Sequence, residues 1–192
     1  MNPIVRGIRF KVTDGEFRGA MRQLAGGVSV ITVGRGEDTS GMTVTSVASL
    51  AVDPPSLVVS INRASSSWPL LERYRCFGVN ILRADQIAIA ERFDGRNGLK
   101  GADRFTGAQW LQLASGVPLL KGALAAIDCE VEDIVERHSH ALVIGRVLDL
   151  VLSQPGAALA YWQGQYVALD RDEDAARLAD VSLPAPHVTR KR

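Results

Sequence analysis

The sequence predicts a mainly β domain, an antiparallel barrel with a few helices packed outside it. Three observations lead there. Runs rich in β-branched residues, such as VSVITV (28–33) and LVVSIN (57–62), recur along the chain. Helical spacing of apolar residues is confined to a few short stretches. The links between runs are short and carry Gly, Asp, Ser and Pro.

The elements follow in order. Residues 1–14 are charge-rich and read as an N-terminal arm, followed by a domain over 15–170 and a C-terminal tail over 171–192. Phe17, Ala20, Met21, Leu24 and Ala25 recur at helical spacing, which predicts an amphipathic helix over 16–26 ended by Gly26-Gly27. A strand follows over 28–33, then a turn within 34–41. MTVTSVASLAV (42–52) reads as one strand running into a loop, broken by Asp53-Pro54-Pro55. After the 57–62 strand, SSSWPLLERY (65–74) reads as a short helix with serine available as its cap. FGVNIL (77–82) is strand, ADQIAIAERF (84–93) helix, and 95–101 a Gly-rich loop. From Leu124 the pattern is strand again: Ile127, Cys129, Val131 and Val135 face one way, Asp128, Glu130, Glu132 and Glu136 the other. HALVIGRVLDLVL (140–152) is apolar on both faces, as a central or interface strand would be. Leu159–Trp162 and Tyr166–Leu169 flank a short hairpin turn.

Composition bounds the function. The chain has 192 residues, 46% apolar and 22% charged, as in an ordinary globular domain able to bury a sizeable core. The net charge of +1 argues against nucleic-acid binding by bulk charge. No apolar run approaches membrane-spanning length, and the N-terminus lacks a signal-peptide core. Cys76 and Cys129 make neither a disulfide framework nor a four-thiolate zinc site and read as buried thiols of a cytoplasmic protein.

Few residues stand out chemically. There is no Gly-x-Ser-x-Gly elbow, no P-loop and no dinucleotide fingerprint. His138 and His140 are two apart and would share a strand face. They read as a hairpin pair, as cofactor contacts or as two metal ligands, and the expectation is no metal, since a third ligand is missing. Thr43, Thr45, Ser46 and Ser49 interleave with apolar residues before the Pro-Pro break, and Ser65-Ser66-Ser67 opens the next helix. Such hydroxyls suit a phosphate or a flavin edge. They equally suit a strand with threonines for β propensity and an ordinary serine cap.

Taken together, the segments FRGAMRQLAGGVSVIT (17–32), GMTVTSVASLAVDPPSLVVSI (41–61), RASSSW (63–68), FGVNIL, Phe93 with Asp103-Arg104-Phe105, GVPLLKGALAAIDCEV (116–131), HALVIGRV (140–147) and LAYWQGQYVAL (159–169) resemble the flavin reductase family. The resemblance spans about Phe17 to Leu169 and keeps the family's order and spacings. It implies a six-stranded antiparallel Greek-key split barrel, the FMN-binding split barrel, in a homodimer. It implies an NAD(P)H:flavin oxidoreductase that uses NADH or NADPH and supplies reduced FMN or FAD to a separate monooxygenase component. The alternatives are a split-barrel flavoprotein with tightly bound flavin, and a flavin- or haem-binding module without turnover. The cofactor residues it implies are Thr43, Val44, Thr45, Ser46 and Val47, then Ser60, Asn62, Ser65, Ser66 and Ser67, with Phe93, Arg104 and His140. Arg104 would meet a flavin phosphate, and His140 would end the family's Gly-Asp-His motif at the nicotinamide site. Here His138 and Ser139 stand where the motif has Gly and Asp.

Overall fold

The computed structural model describes residues 11–170. The N-terminal arm is thus described only from Lys11, and the tail over 171–192, with His187, lies outside the described residues. Helix α1 spans Asp14–Met21, and the strands are β1 (Gly26–Gly27), β2 (Ser29–Arg35), β3 (Asp38–Val44), β4 (Val47–Val52) and β5 (Pro55–Asn62). Then come α2 (Trp68–Tyr74), β6 (Cys76–Ile81), α3 (Ile87–Phe93), a 3-10 turn (Gly101–Phe105), β7 (Trp110–Leu111) and β8 (Leu119–Leu120). The chain closes with β9 (Ala125–Arg137), β10 (His140–Leu152), β11 (Ala158–Trp162) and β12 (Gln165–Leu169).

One antiparallel sheet runs in the order β3-β2-β6-β9-β10-β5-β4. Its two edge strands, β3 and β4, are neighbours in the chain, separated only by Thr45 and Ser46. Val44 and Val47 are three steps apart along the chain, at most about 11 Å, so the sheet must curl until its edges meet. Yet β3 and β4 share no ladder. The result is a barrel with a seam, and Thr45 and Ser46 cross that seam. The predicted single strand over 42–52 is therefore broken there. The main sheet holds seven strands; six remain if β3 and β4 count as one bent strand.

Strand β2 shows how the layers form. Ile31 and Val33 enter a cluster inside the barrel with Phe77, Val59, Ile61, Leu71 and Val143. Val28, just before β2, and Val30 join a second cluster outside it, with Leu82, Ala90, Phe93 and Leu159. Strand β2 is thus covered on both faces, which accounts for its continuous apolar run. Gly145 permits the inner layer: a Cβ there would meet the Phe77 ring at 2.4 Å.

Polar clamps that the apolar pattern does not announce tie loops to this core. Asp128, expected on the wet face, is fully buried. Its carboxylate accepts the Ser115 backbone N–H at 2.7 Å and the Ser115 hydroxyl, so two donors thirteen residues away justify the burial. Asn80 is also fully buried. Its side chain donates to the Val30 carbonyl at 2.9 Å and accepts the Leu120 N–H at 2.6 Å. Asn80→Leu is expected to cost about 2–3 kcal/mol, because a buried N–H loses its acceptor. Thermal melting should show a Tm lower by roughly 5–10 °C; an unchanged Tm would contradict the clamp.

Helix α1 departs from expectation. A capping box starts it, with the Glu16 N–H donating to Thr13 Oγ1 at 3.3 Å and the Thr13 N–H to Glu16 Oε2 at 3.0 Å. It ends at Met21, and Gly26-Gly27 pairs with Tyr161 and Ala160 instead of capping it. None of its residues is buried, so its apolar Phe17 and Met21, with Leu24 just after it, stay outside the core. The Gly34–Gly41 turn also narrows, since β3 already begins at Asp38. In the second half of β10, Leu148, Leu150, Val151 and Leu152 stay exposed.

Candidate functional site

The seam organises the candidate site. Strand β3 pairs with β2 as far as Val44, and β4 resumes pairing with β5 at Val47. The backbone of Thr45 and Ser46 thus belongs to neither ladder, as a backbone that must meet a ligand requires. Thr43 Oγ1 donates to the Ala90 carbonyl at 2.6 Å, which ties the end of β3 to α3. Ser46 Oγ donates to the Ser60 carbonyl at 3.0 Å, which ties the crossing to β5.

A cleft opens on either side of Thr45 and Tyr161. One arm, about 310 Å³, is lined by Arg18, Met21, Arg22, Leu24 and Trp162 among others. The other, about 220 Å³, is lined by Val28, Thr43, Val44, Thr45, Asp94, Arg96, Tyr161 and Tyr166. Both arms include Thr45 and Tyr161. Tyr161 and Tyr166 pack edge to face, with centroids 5.2 Å apart. Burial and the nearby Asp94 charge raise the Tyr166 pKa, so its phenol stays protonated and can donate. Flat aromatic walls, hydroxyls and cations together suit a planar heterocycle carrying an anionic tail.

Asn62 and His140 stand opposite each other on β5 and β10, and Ser60 stands opposite Leu142. These four share the outer face, since Ile61, Ala141 and Val143 between them are buried. Asn62 Oδ1 accepts the Ala64 N–H at 2.9 Å, and the Arg63 N–H donates to the Ser139 carbonyl at 3.0 Å, fastening the two loops together. Ser139 Oγ lies 2.9 Å from His140 Nδ1, leaving Nε2 as the ring nitrogen for a ligand. His138 sits in the turn at φ 53°, so the two histidines do not share a strand face.

The serine cluster differs from a simple cap. Ser67 Oγ donates to Ser40 Oγ at 3.1 Å and makes no cap bond to α2, while Ser66 Oγ lies 3.3 Å from Ser40 Oγ. Ser65 Oγ is buried with no partner among the described residues.

Ser67, 1% exposed with its hydroxyl given to Ser40, is closed to a ligand, and two further predicted contacts fall elsewhere. Phe93 is 1% exposed and packs on Phe105 and Trp110 with centroids 5.1 and 5.8 Å away, so it supports the site from beneath and cannot touch a ligand. Gly41 makes room for it, since a Cβ there would meet the Phe93 ring at 2.8 Å. Arg104 donates through Nε to the Leu99 carbonyl at 2.9 Å and through Nη1 to the Gly41 carbonyl. Burial lowers its pKa below the ordinary arginine value. Its guanidinium thus holds the 3-10 turn against β3. Reasoning from sequence missed Arg96, Asp94 and the site face of Tyr161 and Tyr166. The aromatic hairpin was a visible signal, whereas Arg96 lies in a Gly-rich loop without periodicity.

Fold and site together define a β-barrel protein with a ligand cleft at its seam. Comparison with known proteins narrows the class. The family described as flavin reductase like domain matches residues 21–170, and the chain belongs to it. The FMN reductase (NADH) RutF 2 of Methylorubrum extorquens (strain PA1) is 36% identical over 162 residues, covering 84% of this chain and 93% of that protein. The reductase subunit HsaB of a flavin-dependent monooxygenase from Rhodococcus jostii (strain RHA1) is 31% identical over 170 residues, covering 88% and 81%. Among solved structures, BorF, the flavin reductase component of a bacterial two-component tryptophan halogenase, superposes with a TM-score of 0.76 at 31% identity, covering 82% of this chain and 99% of that one.

Proposed function

We propose that the protein is an NAD(P)H:flavin oxidoreductase that takes FMN or FAD as a diffusible substrate and supplies the reduced flavin to a separate oxygenase component. The observation that carries this reading is the seam at Thr45-Ser46, an unladdered, hydroxyl-bearing crossing in a chain of the flavin reductase like family. NADH is the favoured donor, since relatives bear names of NADH-dependent FMN reductases.

The chemistry bound there is hydride transfer from nicotinamide C4 to flavin N5, which belongs to the two small molecules. The chain's own residues position and stabilise. Backbone N–H groups around Thr45 and Ser46, outside both ladders, would favour the negative charge that develops on the carbonyl edge of a ring bound there, an electrostatic role of the oxyanion-hole type. The tyrosine pair walls one side of the cleft. Ser60, Asn62 and the exposed Ser66 serve the ribityl and polar parts, while the buried Ser65 and Ser67 hydroxyls shape the loop behind them. His140 meets the nicotinamide nucleotide, with Ser139 holding Nδ1 in place of the family's carboxylate.

His140→Ala is therefore expected to raise the Michaelis constant for NADH about tenfold, the loss of one hydrogen bond. Because the side chain is exposed, the melting temperature should hold. A lowered melting temperature with normal NADH kinetics would remove His140 from the site.

The protein acts as a homodimer in this reading. Strand β10 pairs with β5 only as far as Arg146, so its last six residues keep an open edge beside exposed leucines. No described helix is long and apolar enough to cross a membrane. Two free cysteines fit a reducing compartment such as the cytoplasm; burial pushes the Cys129 thiol up to about 12, leaving it inert.

The assay is NADH oxidation with riboflavin, FMN or FAD added in turn. A nearly colourless protein that oxidises NADH only when flavin is added supports the reading. A purified protein that is yellow and gains nothing from added flavin supports a tightly held cofactor instead. A Soret band on adding haem, without NADH oxidation, supports a binding module.

A further inference from the structure

Arg96 is the guanidinium that the fold presents at the hydroxyl arm of the cleft. It lines that arm beside Thr43, Val44 and Thr45. Gly95, at φ 83°, turns the chain directly after α3, and the Asp94 carboxylate accepts the Arg96 backbone N–H at 2.8 Å. The side chain is braced as well: Nε lies 3.3 Å from Asp94 Oδ2, and Nη2 donates to Tyr161 Oη at 3.5 Å. These contacts fix the inner edge of the fork, while the side chain stays 69% exposed. The Tyr161 hydrogen bond and the Asp94 charge raise its pKa, so it is a permanent cation.

The contrast with Arg104 decides which cation is available. Arg104 is half-buried and already donates to two backbone carbonyls. Diverting it to a ligand would leave the Gly41 and Leu99 carbonyls without their donor. Arg96 loses only a long bond to a phenol that can re-pair with the incoming anion. Its Nη1 and outer edge offer the paired donors that match two phosphate oxygens.

We propose that Arg96 binds the 5′-phosphate of the flavin, and that this contact is how the cleft distinguishes FMN and FAD from riboflavin. The proposal rests on the flavin reductase reading. FMN ends in that phosphate and FAD continues from it, so both present the same charged group, which riboflavin lacks. Asp94 neutralises one edge of the guanidinium and stops Arg96 from being a general anion trap. A ligand must therefore also fill the arm beside Thr43–Thr45 to be held.

The test measures Kd for the three flavins by quenching of flavin fluorescence, with steady-state kinetics in parallel, on wild type, Arg96→Ala, Arg96→Lys and Arg104→Ala. Arg96→Ala should weaken FMN and FAD by about tenfold or more and leave riboflavin and the NADH Michaelis constant unchanged. Arg96→Lys should recover part of the loss, as a single point charge without the fork. Arg104→Ala should lower the melting temperature and shift all three flavins alike. Unchanged riboflavin binding in Arg96→Ala also reports that the variant is folded. The proposal is overturned if Arg96→Ala treats the three flavins alike, or if only the NADH constant moves. A wild type that binds FMN and riboflavin equally overturns the proposal while leaving the reductase reading standing. A wild type that binds no flavin overturns both.

Discussion

Ser46→Tyr abolishes flavin use: kcat/KM with FMN and with FAD falls at least about a hundredfold, while the melting temperature holds. The size follows from where Ser46 sits. It lies at the seam, outside both ladders, where β3 ends and β4 begins. A phenol ring there occupies the space a flavin edge needs, and inserting that much volume into a fitted contact costs about 1–3 kcal/mol before any displacement of the ligand. About 2.7 kcal/mol is a hundredfold. The fold should tolerate the change, because Ser46 is exposed and, among the described residues, its side chain bonds only to the Ser60 carbonyl. Ser46→Ala is the companion variant: it removes that bond without filling the space and should leave most activity. Unaltered kinetics in Ser46→Tyr would place the flavin elsewhere.

Leu150→Asp is expected to convert the proposed homodimer to a monomer. Within one protomer Leu150 is 46% exposed, with Leu148, Val151 and Leu152 beside it on a strand end that lacks a neighbour on the β5 side. Covering a leucine is worth about 2 kcal/mol. Twofold symmetry counts the loss in both copies. The dimer dissociation constant should then rise by roughly a thousandfold. Sedimentation at micromolar concentration should show wild type as a dimer and the variant as a monomer. A wild type that is monomeric at that concentration and still reduces flavin contradicts the assignment of this surface.

Much of the fold is written locally. β-Branched runs mark β2, β5 and β6, Asp53-Pro54 turns the chain between β4 and β5 with Pro55 opening β5, and the aromatic hairpin appears as β11 and β12. The break at Thr45-Ser46 is hidden because threonine and serine flanked by valines continue a strand pattern. Only the order of strands in the sheet shows that the chain must cross a seam there. Asp128 is hidden for a related reason: alternation places it on the wet face, and the Ser115 donors that justify its burial come from a loop with no periodicity. The exposed face of α1 shows the same limit from the other side, since periodicity states which face is apolar but not what covers it.

The candidate site was legible as segments, less so as side chains. The hydroxyl stretch 43–46 lines the cleft and reaches β5 through Ser46 and Ser60, and Asn62 and His140 stand opposite each other on β5 and β10. Phe93 and Arg104 hold matching positions in sequence, yet one packs in the core and the other braces the backbone. Order along a chain carries no information on whether a guanidinium is already occupied. That depends on carbonyls at Leu99 and Gly41, brought to it by tertiary folding. Arg96 became visible only when the cleft around Thr45 was built.

Whether flavin is consumed as a substrate rather than held as a fixture is tested directly by anaerobic turnover. A small amount of protein is mixed with a large excess of FMN and of NADH without oxygen, and the visible absorbance of the flavin is followed. The whole flavin pool should bleach, over many turnovers per protein chain, and with NADH lowered to near its wild-type Michaelis constant it should bleach more slowly in His140→Ala. Bleaching that stops at one equivalent per protein chain, or that runs no faster than a protein-free blank, would contradict consumption as a substrate.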